Sequence, residues 1–590
     1  MRKIGLLVFT LLAFSQQACT NNDLPAIVGS SSSGGNTLGG KVSQCKTVTY
    51  QDPYAAYYST RSSKTIPYSW KASNSSATRY ATSEVCNTAV PALTIGTGTG
   101  LTITGKAQYE DRTYGQTGFT GTALKPIRYG VVQALVNDVV VEESTTAIDG
   151  TYTLTVSGYT DGTVTVRVLA KLGGVYAGNV VDDSDTTNTG IIYSVTRSDL
   201  PDTISAGDAV TADICTATNT AGPAFNILDN IVDAQYVSST LSTLSKTAEA
   251  ITAHWYEGSK NGTYYLSDDT GLVHNIYILG HVTDTDQYDD SVILHEMGHY
   301  IAEVYSRDDS SGGTHTFNGH YDIRLTWSEG WATFFQSLIK DMTSQDYPEY
   351  YVDTALSTMA IEIETPSYET YATGPDNELG VAAMLWDVYD TETTGTTLND
   401  KDSLSDGGLN IWSVFETDLP LVEMVSFEDF YDGWVAGAER THDQLKPILV
   451  ERGVNYEADT YESDGTVATA TSIAPCSTQT HTYFPKADVD YFKVDVTKGL
   501  TYVFFTKDQE NGADPMLTLY DSDGTTQLDQ NDDETTGIYP APPPISAISW
   551  TADATKTVYI ASEPYRPVVA GDPATLGDYG TYTFAIDIFQ

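Results

Sequence analysis

Positive charge is what this chain of 590 residues has least of: 30 Lys plus Arg stand against 78 Asp plus Glu, a formal net charge of −48. It has no basic patch, and a surface of this sign repels nucleic acid and anionic membranes. Cysteine is scarce too, five in all, and none of them has zinc-finger spacing. Long apolar runs are missing: no segment after the first few residues has the length and hydropathy of a transmembrane helix. These absences exclude a nucleic-acid reader, a zinc ribbon and a helical membrane protein. At this length several domains are expected.

The one apolar run near the start, Ile4 to Phe14 behind Arg2 and Lys3, is too short to span a bilayer and suits a signal peptide over residues 1–18. It ends at Gln16-Gln17-Ala18-Cys19. A small residue before cysteine, followed by Thr20, Asn21 and Asn22, resembles a bacterial lipoprotein cleavage site, although Gln16 replaces the usual aliphatic residue. Cys19 is then a lipid-anchor site, with ordinary cleavage after Ala18 as the alternative. Lipidating Cys19 leaves Cys45, Cys86, Cys215 and Cys476, enough for two disulfides, of which Cys45–Cys86 is favoured by proximity. Either reading puts the protein outside the cytoplasm, extracellular or at the cell surface.

Composition then divides the chain. Residues 19–44 form a Gly/Ser-rich tether, and 45–96 a Ser/Thr/Tyr-rich lead-in with little periodicity. Residues 97–216 carry strand signals: Leu101 and Ile103 alternate with polar residues, as do Val164, Val166 and Val168, and Asp149-Gly150 turns into a strand at Thr151. From 220 a helical pattern appears at Phe225, Leu228, Ile231 and Val232. Asn261-Gly262 reads as a hairpin turn between Trp255-Tyr256 and Tyr264-Tyr265, and Asn275 to Gly280 as a strand whose edge is offered to an extended peptide. The run Asp284, Asp286, Asp289, Asp290 offers hard oxygen ligands for calcium, but its spacing fits no fixed loop, and a solvated helix-capping stretch is the favoured reading.

The chemistry is concentrated just beyond. Leu294-His295-Glu296-Met297-Gly298-His299-Tyr300 contains H-E-x-x-H. Two histidines four apart on a helix reach one metal, and the glutamate beside them is placed to take a proton from a metal-bound water. Ile293, Met297, Tyr300, Ile301 and Val304 supply the buried stripe that makes the segment helical. A hydrolytic zinc site wants three protein ligands and an open position. The extension H-x-x-G-x-x-H fails, because Ala302 and Tyr305 stand where Gly and His are required. Thr326-Trp327-Ser328-Glu329-Gly330-Trp331 offers Glu329 instead, in the first turn of a second helix capped by Thr326 or Ser328, with Trp331, Phe334, Phe335, Leu338 and Ile339 as its buried stripe.

Together H-E-M-G-H and W-S-E-G-W-A-T-F-F resemble the glutamate-zincins, the thermolysin-like and aminopeptidase-like zinc peptidases. Val381 to Tyr389 looks like the third helix of the fungalysin branch. The resemblance covers roughly 220–456. It implies an α+β zincin-like catalytic domain, zinc on His295, His299 and Glu329, Glu296 as general base, and a protein or peptide substrate. Two departures stand out. His299 and Glu329 are 30 positions apart, and the inserted loop carries His315 and His320, read as rival ligands only secondarily to Glu329. The histidine that fungalysin-like enzymes carry before the third helix is absent near Pro375, so Tyr389 or Tyr371 is the expected oxyanion donor. Residues 97–216 resemble the small β-sandwich modules found beside carboxypeptidases. Residues 457–590, with Asp488-Val489-Asp490-Tyr491-Phe492 and Asn531-Asp532-Asp533, resemble the bacterial pre-peptidase C-terminal β-sandwich. There Asp514, Asp521, Asp523, Asp532 and Asp533 are the calcium candidates. The expectation is therefore a multidomain chain, a zincin-like domain between two all-β sandwiches. A surface adhesin or glycan-binding protein with an inactive zincin domain is the competing reading.

Overall fold

Alternating burial turns the first described third of the chain into strands. The computed structural model describes residues 91–589 except 185–189, 269–270, 311, 356–357, 365–372, 391–403, 405–406, 423, 438–439, 487, 534–544 and 566–578, together with the short paired strands Gln16–Ala18 and Lys46–Val48. The Cys45–Cys86 pairing, Cys19 and Tyr371 lie outside the described residues; Cys215 and Cys476 are each disulfide-bonded. Thr151–Val156 buries every second residue, as the strand period of two requires. It belongs to a six-stranded sheet built around the 15-residue strand Leu101–Gly115.

A second, nine-stranded sheet contains β1 (Gly130–Val136), β2 (Val139–Thr145), β3 (Val164–Leu172), β4 (Gly178–Asp182), β5 (Ile251–Trp255), β6 (Tyr264–Ser267) and β7 (His274–Ile278), in the order β6-β7-β5-β4-β3-β1-β2. This overturns the boundary expected near 216–220. β4 pairs in parallel with β5, and one buried apolar cluster runs from Leu101 to Tyr456 and takes in Tyr579. A sandwich ending at 216 would leave that apolar face bare; helix α1 (Gly222–Leu241) covers it with Phe225, Leu228, Ile231 and Val232. The Asn261-Gly262 hairpin is also corrected. β5 and β6 lie on opposite sides of β7, and β6 pairs antiparallel with β7 instead. β7 is thus interior, and the open edge beside the helices is β6.

Three helices follow: α2 (Asp290–Tyr305), α3 (Ile323–Met342) and α4 (Glu378–Tyr389), with the hairpin β8 (Tyr350–Asp353) and β9 (Met359–Glu362) between the last two. Ile293, Met297, Tyr300 and Ile301 are fully buried, each contributing on the order of 1.5–3 kcal/mol. The acidic run before α2 is not solvated. Asp286, Asp289 and Asp290 are buried. Asp289 accepts from the Thr354 backbone and hydroxyl, and Asp290 from the side-chain amides of Asn226 and Asn230. These carboxylates fasten the start of α2 to α1 and to the end of β8.

Helices α5 (Phe427–Ala436) and α6 (His442–Glu451) close this region. From Thr471 two sheets of five and four strands enclose a separate apolar core of residues such as Phe492, Leu517, Ile560 and Phe584, a β-sandwich. It docks on α5: the Tyr579 backbone donates to Glu428, its hydroxyl to Asp432, and Lys486 pairs with Asp432 at 2.9 Å. Among the described residues no helix is long and apolar enough to cross a membrane.

Candidate metal centre

α2 packs on α3, and α3 on α4, each through a residue without a side chain. A Cβ on Gly330 would meet the Val381 side chain of α4 at 2.6 Å, and Gly298 faces Ala332 just as closely. The glycines of both motifs therefore set the spacing of the three helices, which fixes how their polar residues meet.

Three donors converge at this crossing. His295 Nε2 lies 3.1 Å and His299 Nε2 3.4 Å from Glu329 Oε2. The far side of each ring is tied. His295 Nδ1 is 3.1 Å from the Thr333 hydroxyl, and His299 Nδ1 is 3.1 Å from Ser328 Oγ, which donates to Asp308 Oδ2 at 2.7 Å. Two imidazoles presenting Nε2 with Nδ1 anchored, plus one carboxylate, are a donor set and outer shell that fit zinc. The electrostatics agree. Burial works to keep His299 neutral, but Glu329 and Asp308 outweigh it and push its pKa well above the ordinary value. Burial likewise opposes the Glu329 charge, yet the two histidines hold its pKa well below the usual carboxylate range. The cluster attracts positive charge.

Glu296 is on the same helix but not in this set: its Oε2 accepts the Tyr265 backbone N–H of β6 at 2.8 Å. α3 starts earlier than its motif suggested. Asp322 caps it by accepting from Arg324 N, which puts Glu329 in the second turn. Thr326 instead donates to the Pro375 carbonyl, and Ser328 serves His299.

The oxyanion assignment to Tyr389 is corrected. Its hydroxyl donates to Asp341, twelve residues and about 18 Å along α3 from Glu329, on the ordinary rise of 1.5 Å per residue. His320 is turned to Asp376, 2.9 Å away. His315 does reach the centre: Nε2 lies 3.3 Å from Glu329 Oε1 and Nδ1 2.7 Å from Glu378 Oε2. Burial opposes its charge, but Glu378 and then Glu329 push its pKa to about 9. Sequence reasoning missed Asp308, Thr333, Glu378 and Tyr265, since nothing in the local pattern marks residues that act through others.

In the C-terminal sandwich the calcium candidates are also rearranged. Asp521 pairs with Lys556, and Asp523 accepts from Thr525 and Thr526 within its own turn. A buried group forms elsewhere: His481 Nδ1 is 3.2 Å from Asp490, 3.3 Å from Asp459 and 3.9 Å from Asp464.

Residues 237–448, a little over a third of the chain, match the Mycolysin C-terminal domain, a domain associated with peptidases, and the matched stretch contains α2, α3 and α4. Over this stretch the chain is similar to a peptidase-associated domain. No curated protein matches the sequence. Among solved structures, the pre-peptidase C-terminal domain of a Bacillus anthracis collagenase is similar at 15% identity, over 20% of this chain and 94% of that one, with a TM-score of 0.15. Aeromonas hydrophila PliG, a periplasmic inhibitor of g-type lysozyme, follows at 8% identity over 20% and 96%, TM-score 0.14. CorA, a surface-associated copper-binding protein of Methylomicrobium album BG8, stands at 11% over 20% and 98%, TM-score 0.14.

Proposed function

We propose that the protein is an exported zinc peptidase that hydrolyses peptide bonds with water, holding zinc on His295, His299 and Glu329 and using Glu296 as general base. The observation that carries this reading is the convergence of two Nε2 atoms on one oxygen of Glu329, with each Nδ1 anchored behind. Zinc bound there supplies Lewis acidity toward a carbonyl and acidifies a water near neutral pH. The chain's own groups handle the proton. The Tyr265 N–H holds one oxygen of Glu296, and the other takes a proton from water and returns it to the leaving amine. Tyr265 lies in β6, the sheet edge, so an extended peptide pairing with that strand runs past Glu296. The peptidase-associated match over 237–448 supports the same substrate class.

A glycan- or surface-binding protein with an inactive centre is the competing reading. Glu296 speaks against it, because Glu296 lies outside the ligand set and its bond to the Tyr265 N–H engages one carboxylate oxygen, so the other can serve as a base. Export through residues 1–18, with Cys19 as lipid anchor, belongs to the same proposal. The mass of the mature N-terminus tests it, and an unmodified Cys19 or a later start would remove the anchor.

The catalytic reading is tested with a peptide library. Hydrolysis is expected to vanish on chelation and return with zinc, and Glu296→Gln is expected to keep zinc and fold while losing roughly two to four orders of magnitude in rate. Undiminished cleavage by Glu296→Gln would remove the general base and the mechanism with it.

A further inference from the structure

We propose that His315 is a positioning residue for the third metal ligand: it donates from Nε2 to Glu329 Oε1 and so turns Oε2 toward the histidine pair, while Glu378 fixes the ring from behind. This rests on the zinc reading of the centre and extends it to a loop residue.

The geometry separates the two oxygens of Glu329. His295 and His299 face Oε2, whereas His315 faces Oε1 at 3.3 Å. Each ring nitrogen of His315 faces one carboxylate, Nδ1 that of Glu378 and Nε2 that of Glu329. The shorter contact, 2.7 Å from Nδ1 to Glu378, sets the ring plane. Glu378 is itself 2% exposed and opens α4. The result is a relay from the start of α4, through the loop, to the ligand on α3.

The loop that carries His315 is built into the fold. Asn377, the cap of α4, accepts from Gly380 N and donates to the carbonyls of Phe317 and Gly319 at 3.1 and 2.7 Å. Tyr321 N donates to the Asp376 carbonyl at 2.8 Å, and the Phe317 ring meets Tyr351 at 5.3 Å. One residue therefore caps the helix that presents Glu378 and clamps the loop that presents His315. The long separation between His299 and Glu329 accommodates this device. Partners that orient a ligating carboxylate are worth about 10–100-fold in metal affinity.

The test measures zinc affinity of the full chain by competition with a chromophoric chelator. Wild type, His315→Ala, His315→Gln, Glu378→Gln and His320→Ala are compared, with far-UV circular dichroism to verify folding. His315→Ala is expected to bind one zinc about 10–100-fold more weakly. His315→Gln, which keeps an N–H donor, is expected to recover part of that loss. Glu378→Gln should weaken binding less than His315→Ala, and His320→Ala should match wild type. Equal affinity in wild type and His315→Ala would overturn the inference while leaving the metal reading intact. Loss of all zinc in His315→Ala would overturn it too, by making His315 a ligand. A wild type that binds no zinc would sink the metal reading itself.

Discussion

Gly298 of α2 and Ala332 of α3 stand so close that a Cβ on Gly298 would lie 2.7 Å from the Ala332 Cα. That contact is backbone against backbone, so nothing flexible yields. It lies between His295 and His299 on one helix and beside Glu329 and Thr333 on the other, which makes the helix spacing part of the metal centre.

Gly298→Ala is therefore expected to push the helices apart, costing about 1–3 kcal/mol of stability by overpacking. Zinc affinity should fall with it, because Glu329 moves away from both imidazoles. Thermal unfolding and metal titration check the two effects together. Unchanged zinc binding in a destabilised variant would separate the spacing from the centre.

Tyr389→Phe tests the corrected assignment at the far end of α3. Tyr389 donates to Asp341 and packs on Phe334 and Trp386. Peptide turnover should stay within about twofold, while stability falls by roughly 0.5–1.5 kcal/mol for the lost hydrogen bond. A large fall in kcat with an unchanged melting temperature would restore Tyr389 to the reaction.

The helices that bring His295, His299 and Glu329 together are readable because their information is local: a four-residue helical spacing in His295 to His299, and an apolar stripe behind Glu329. What was not readable depends on residues far apart in sequence. Thr326 and Ser328 have the chemistry of helix caps, but contacts to Pro375 and His299 claim them, and Asp322 caps instead. β4 and β5 pair in parallel across some 70 residues, so the strands of 97–216 read as a separate module until their partner is seen. His315 gains its role from Glu378, 63 positions on. Tyr389 has the phenol an oxyanion donor needs, but a phenol carries no information about position.

The C-terminal sandwich is expected to lose stability as pH rises. Burial pushes Asp490 and Asp464 up to about 6, so stability drops as pH climbs from their unfolded value near 3.8 through 6, where the buried carboxylates must ionise. Burial opposes the His481 charge, but Asp459 and Asp490 raise its pKa to about 9. Its contribution is complete below pH 6.5 and disappears as pH passes through 9. Chelated protein should thus melt at lower temperature at pH 9 than at pH 5, and His481→Gln should flatten the upper part of that fall. Equal melting temperatures at pH 5 and pH 9 would contradict this account of the cluster.

Metal content with and without Glu329 tests the central claim most directly. Elemental analysis of wild type and Glu329→Ala, paired with peptide hydrolysis on the same samples, is the measurement. Wild type should hold one zinc per chain, and Glu329→Ala should lose most of the zinc and the activity together. Full zinc occupancy in a folded Glu329→Ala variant would contradict the assignment of His295, His299 and Glu329 as the metal centre.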